Sequence, residues 1–261
     1  MRAMDLLYTL SGFAVGAIVG LTGVGGGSLM TPLLVLVFGI HPATAVGTDL
    51  LYAALTKAGG TVAHGRKGHI DWTITGRLAL GSIPAAALTI WVLAQLPKGS
   101  NTIGALISSG LGFALLLTAI AIVFGRKLRA YAARHEASPL RQRHLPAITV
   151  AVGAILGVLV TISSVGAGAL GVAALFVLYP DLSPVRIVGS DVAHAVPLTL
   201  VAGLGHWLLG GVDWALLGAL LLGSLPGIWL GSHVPARVPE HILRRLLASM
   251  LVLIGGKLVF A

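Results

Sequence analysis

The sequence predicts an all-α, polytopic integral membrane protein. It is built as two inverted repeats of about five apolar segments each, with short broken or re-entrant helices in both. Three observations predict this. Of the 261 residues 56% are hydrophobic and only 10% charged, with mean hydropathy +0.97. A soluble domain of that size needs far more charge on its surface. Several runs also exceed the ~18 apolar residues of a spanning helix. Finally, short motifs recur in order along the chain.

The repeat is read from those motifs. G-T-D-L (Gly47–Leu50) returns as G-S-D-V (Gly189–Val192) at an offset of 142. At the same offset Pro42 meets Pro184, His64 meets His206, Asp71-Trp72 meets Asp213-Trp214, and Gly81–Pro84 meets Gly223–Pro226. Gly25–Gly27 meets Gly166-Ala167-Gly168 at 141, and V-G-A-I-V-G (Val15–Gly20) meets V-G-A-I-L-G (Val152–Gly157) at 137. The domains expected are an N-terminal transmembrane repeat at 1–124, a basic cytoplasmic linker at 125–145, and a C-terminal transmembrane repeat at 146–261.

In chain order the first repeat's segments are about 5–22, 28–40, 43–63, 72–95 and 102–124. Those of the second are about 146–163, 168–179, 186–209, 213–232 and 242–260. The second segment of each half is short. Its ~11–13 residues span ~17–20 Å at 1.5 Å per residue, against a core of ~30 Å, so it reads as a half-helix or re-entrant arm. Pro32, Pro84, Pro197 and Pro226 fall inside apolar runs and predict kinks. Trp72, Trp91, Trp207, Trp214 and Trp229 lie mostly near segment ends, as an aromatic belt requires.

Charge sets the orientation. Arg126, Lys127, Arg129, Arg134, Arg141 and Arg143 fill the linker, which the positive-inside rule makes cytoplasmic. With every segment crossing, Arg66, Lys67, Arg77, Arg186, Arg237, Arg244 and Arg245 fall on the same side. Only Arg2, Lys98 and Lys257 fall on the other, and Lys57 stays within a helix. Five segments per half is odd, so the second repeat enters from the opposite face. That is an architecture of secondary transporters, with the substrate site near mid-membrane at interrupted helices. The start, M-R-A-M-D-L-L-Y, reads as a helix beginning rather than a cleaved signal. The net charge of +9 does not point to nucleic acid, because the basic residues map to loops. With no cysteine there is no disulfide, thiolate metal site or thiol nucleophile. H-E-x-x-H and G-x-S-x-G do not occur, which argues against an enzyme. No cofactor or metal is expected, and a homodimer is left open.

The stretch G-L-T-G-V-G-G-G-S-L-M-T-P (Gly20–Pro32) interrupts two apolar runs. Each glycine there costs ~1 kcal/mol against alanine in a helix, and broken backbone within lipid is tolerated only against protein or a watery cavity. Ser28 can N-cap the short helix that follows, whose free amides suit an anion. A tight glycine turn for close helix approach fits equally. The candidate substrate-binding residues are Thr22, Gly23, Gly25, Gly26, Gly27 and Ser28 at this break, with Ser163, Ser164, Gly166 and Gly168 at the second. The alternative for the hydroxyls, Thr161 included, is bonding to their own helix backbone.

Ionisable residues in apolar segments are functional candidates, since a charge at mid-bilayer costs at least ~2.5–3.5 kcal/mol. Asp49 lies roughly 10 Å into its segment at 1.5 Å per residue, and Asp191 is its repeat mate. Each follows a hydroxyl, Thr48 or Ser190. These four are the ion-coupling candidates, for a proton or Na⁺; the other reading is a cap on a helix restarting after Gly47 or Gly189. Lys57, whose mate is Thr199, can attract an anion, pair with an acid or snorkel. His194, His64 and His206 can relay protons or sit at the interface.

The run G-L-T-G-V-G-G-G-S-L-M-T-P-L-L, then H-P-A-T-A-V-G-T-D-L-L, then the V-x-H-G-R-x-G-H-I-D-W loop, resembles the TauE/SafE sulfite exporter family of bacterial and archaeal membrane transporters. The resemblance covers both repeats, although V-G-A-G replaces G-V-G-G-G in the second. It implies a secondary transporter of sulfite or an organosulfonate, usually outward, driven by an ion gradient. An anion channel of the same fold, or a transporter of another organic anion or a metal ion, is the alternative.

Overall fold

The structure is a computed structural model that describes residues 3–22, 27–96, 101–134, 139–233 and 240–260. Its helices are α1 (Ala3–Thr22), α2 (Gly27–Leu36), α3 (Pro42–Arg66), α4 (Trp72–Gln95), α5 (Asn101–Arg134), α6 (Pro139–Ser163), α7 (Ala169–Leu178), α8 (Pro184–Leu208), α9 (Trp214–His233) and α10 (Glu240–Phe260). The described residues contain no strand. α5 and α6 extend into the basic stretch 125–145 that the sequence suggests as a linker.

Trp72–Gln95, Gly104–Gly125, Arg143–Ser163, Pro184–Leu208 and Trp214–Gly231 are long and apolar enough to cross a bilayer. The molecule's outside is correspondingly greasy. All five tryptophans are exposed, as are Leu80, Leu208, Leu222 and Leu253. A soluble protein seldom exposes so much continuous apolar surface, whereas lipid solvates it. α3 is long but less apolar, because it carries Thr48, Asp49 and Lys57; its residues 45–54 are all buried.

The repeats interlock. α1 packs along α9 and α4 along α6, so the first helix of each repeat lies on the fourth helix of the other. Glycines set these seams. On α1, Gly12 meets the backbone of Leu220 and Gly16 that of Ser224; on α9, Gly223, Gly227 and Gly231 meet Thr9, Phe13 and Ala17. Residue numbers rise together, so α1 and α9 are parallel. α4 and α6 are parallel too, with Gly153 on Leu78 and Gly157 on Ser82. Spacing small residues by four lets helix backbones touch.

α3 and α8 instead run antiparallel, since Gly203 meets Leu51 and Gly60 meets Val192. This mixture of directions follows from an odd number of traverses per repeat. Joining each short helix to its predecessor as one broken crossing would make α3 and α8 parallel.

The seams also fix the alignment of the repeats. Gly12 and Gly16 occupy the places of Gly153 and Gly157, an offset of 141. The likeness of Val15–Gly20 to Val152–Gly157, at 137, is therefore one turn out of structural register. At 141 the two breaks align as well. The apolar clusters correspond likewise: Leu34 to Leu175 at 141, and Ala45 to Ile187, Ile74 to Leu216 and Leu78 to Leu220 at 142.

Candidate functional site

Each G-[TS]-D tripeptide divides its work among three residues. Gly47 lies against the carbonyl of Gly211 and the Cβ of His206, and Gly189 against the carbonyl of His69 and the ring of His64. A β-carbon at either glycine would overlap a backbone oxygen, so glycine is what lets the opposite repeat's loop come this close. The next residue binds that loop. Thr48 Oγ1 accepts from the amide of Asp213 at 3.1 Å, and Ser190 Oγ accepts from the amide of Asp71 at 2.8 Å. Ser190 also donates to Arg186 O at 2.7 Å. Asp71 and Asp213 then cap α4 and α9 through their own side chains. Arg186 adds an ion pair to Asp71 at 3.3 Å, for which the other end has no equivalent, because position 44 is a threonine.

The third residue turns inward. α3 and α8 run through Gly47 and Gly189 without interruption, so neither Asp49 nor Asp191 caps a restarting helix. Both aspartates are 0% exposed. Asp49 Oδ2 accepts from the hydroxyl of Thr31 on α2 and from Ser164 Oγ, at 3.0 Å, in the second break. One carboxylate thus ties α2 and α3 of the first repeat to the interruption of the second. Asp49 Oδ1 and both oxygens of Asp191 are buried with no partner among the described residues.

The second break carries backbone that only special residues adopt. Gly166 and Gly168 have φ of 122° and 136°, and Ser164 has φ of 59°. Among the described residues Ser164 is the one non-glycine with positive φ. Such a residue costs about 1–3 kcal/mol and persists where its surroundings hold it; here the bond to Asp49 does. Ser163 satisfies the break locally, donating to Leu159 O at 2.6 Å and accepting from the amide of Val165 at 3.1 Å. Thr161 likewise donates to Gly157 O in its own helix. After the break, Val172 N reaches Gly168 O, but the amides of Ala167, Gly168, Ala169 and Leu170 meet no acceptor among the described residues.

Lys57 completes the centre. It does not snorkel: it is 8% exposed, and Nζ donates to Ala167 O at 2.6 Å. No described carboxylate lies within 4.0 Å of it. Its mate Thr199 merely bonds Ala195 O within α8. His194, 0% exposed, bonds Ser82 Oγ through Nε2 at 2.8 Å, and its Nδ1 has no partner among the described residues. His206 Nε2 lies 2.8 Å from Thr161 O, so that nitrogen carries the proton. His64 stays at the periphery, its ring centroid 5.9 Å from that of His69.

The structure thus brings Asp49, Lys57 and Ser164 to the second break, with Asp191 and His194 on α8 beside it. Ser163 serves its own helix end, and Thr48 and Ser190 serve the cross-repeat loops. Gly23, Gly25 and Gly26 lie outside the described residues, as do the side chains of Thr22, Gly27 and Ser28. Thr31, Ser82 and Gly171, which the sequence did not single out, belong to the centre. No recurrence marks the first, since at the breaks' offset of 141 Thr31 stands opposite Val172. Among the described residues no three His, Asp or Glu side chains converge as metal ligands.

The family model described as sulfite exporter TauE/SafE matches residues 8–258. The probable membrane transporter protein YjnA of Bacillus subtilis (strain 168) is 40% identical over 260 residues, covering 98% of this chain and 100% of that protein. A second from the same strain, YdhB, is 30% identical with the same coverage of both. A probable membrane transporter protein of Xylella fastidiosa (strain 9a5c) is 27% identical, over 98% of this chain and 95% of that one. No solved structure matches.

Proposed function

The chain belongs to the TauE/SafE sulfite exporter family of multi-pass membrane transporters, and on that premise we propose that it is a secondary active exporter of a small sulfur-containing oxyanion. Sulfite or an organosulfonate is the substrate, the bacterial or archaeal cytoplasmic membrane the location, and a proton or cation gradient the drive.

The observation that carries this reading is the setting of Lys57. A buried ammonium reaches the carbonyl of a broken helix, with no acid in salt-bridge range and four unclaimed amides beside it among the described residues. A weakly hydrated anion entering there gains a charge-assisted bond and the positive end of α7. It need not displace a carboxylate from the lysine. The glycines of the aligned first break supply a second set of amides under the same reading.

The test is efflux of labelled sulfite and taurine from proteoliposomes holding the purified protein. Saturable flux against the anion gradient, driven by an imposed pH or Na⁺ gradient, supports the reading. Lys57→Met then reduces flux at least tenfold while leaving the protein monodisperse. Flux that is only downhill and does not saturate makes the protein a channel, and no flux of either anion overturns the substrate class.

A further inference from the structure

The two aspartates are repeat mates in unlike surroundings. Asp49 is held by Thr31 and Ser164. At the structural offset of 141 the positions equivalent to those donors are Val172 and Gly23, which have no hydroxyl. Asp191 accordingly has no hydrogen bond at either oxygen among the described residues. Its Oδ1 lies against Gly171 of α7, where a β-carbon would collide with it. In the first repeat the equivalent of Gly171 is Met30, fully buried. So the second repeat has removed both donors and opened room for a carboxyl group.

A buried carboxylate without donors is among the costliest groups to desolvate, and a bound proton removes the charge. The neighbours favour a proton over a metal cation. α7 contributes no titratable side chain, and no three His, Asp or Glu side chains converge among the described residues. α3, packed along α8, carries Asp49 and Lys57. On α8 itself His194 follows one turn later, and Arg186 is paired to Asp71. His64, from the end of α3, faces Gly189. α4 and α6 carry Arg77 and Arg141, Arg143 and His144 within their first two turns.

We infer that Asp191, and not its mate Asp49, carries the coupling proton, while Asp49 is a fixed tie between α2, α3 and the second break. This rests on the transport reading above. The step is one reversible protonation: an O–H bond forms on Asp191 with a proton from one side of the membrane and breaks to the other. Nothing is oxidised or reduced.

The experiment is infrared difference spectroscopy of the purified protein, at a pH where exposed carboxylates are ionised. A protonated-carboxyl band is expected in the wild type, missing in Asp191→Asn and retained in Asp49→Asn. Asp191→Glu, which keeps the group, should shift the band rather than remove it, and stands in if Asp191→Asn does not fold. Absence of the band in folded wild-type protein, or its loss in Asp49→Asn alone, overturns the inference. This readout needs no substrate, so it separates failure here from failure of the export reading. In proteoliposomes active with sulfite, Asp191→Asn loses at least tenfold of the flux driven by the pH gradient. Unchanged pH-driven flux in that variant also overturns it.

Discussion

Ser164 donates a 3.0 Å hydrogen bond to Asp49, joining opposite repeats across 115 positions of sequence. The serine sits at positive φ in a break, and the aspartate sits in mid-helix. Each explains the other: the strained turn aims the hydroxyl, and the buried acid holds the turn.

Removing that hydroxyl should destabilise the protein without removing a charge. Ser164→Ala and Thr31→Val are each expected to cost about 1–3 kcal/mol, the range for depriving a buried polar group of a partner. The double variant should cost less or more than the sum, because both donors share Oδ2. Unfolding midpoints in detergent check this. Equal stability of Ser164→Ala and wild type would show the bond to be incidental.

The cross-repeat loops give a second expectation. Ser190 both accepts from Asp71 N and donates to Arg186 O, whereas among the described residues Thr48 only accepts, from Asp213 N. Ser190→Ala should therefore cost more than Thr48→Val, each bond being worth about 1 kcal/mol. Both variants keep the fold, and thermal denaturation reads the order.

The ion pair between Arg186 and Asp71 should contribute little to stability. Its arginine side chain is 44% exposed, and pairs in that setting yield about 0–1 kcal/mol. Arg186→Gln should leave the melting temperature nearly unchanged. A large drop would mean that the guanidinium does something beyond this pairing.

Gly171 offers a paired comparison. Gly171→Ala places a methyl on the carboxylate of Asp191, whereas Gly59→Ala meets nothing within 4 Å. The first should lower transport at least tenfold, and the second should be neutral in flux and folding. Flux assays on both, with size-exclusion profiles, decide it.

Much of this was legible beforehand for a physical reason. A duplicated chain repeats its constrained positions, and G-[TS]-D and D-W recur because glycine, hydroxyl and cap each have one geometric job. What escaped was the partner of each job. Thr48 and Ser190 read as companions of an ion-binding acid, yet they bind loops of the other repeat. Thr31 was invisible because its mate is a valine, so no recurrence marked it. The likeness at 137 misled because V-G-A-I patterns fit a helix at any turn. Only the glycine seams, where backbones meet, distinguish one turn from the next.

The interlocked seams bear on how the chain is made. α1 leaves the ribosome well before α9, the helix whose surface it fits. Until then its glycine face, Gly12 and Gly16, has no complementary backbone and must be sheltered by lipid or by the insertion machinery. α4 and α6 share the constraint, so each repeat completes its packing only against the other.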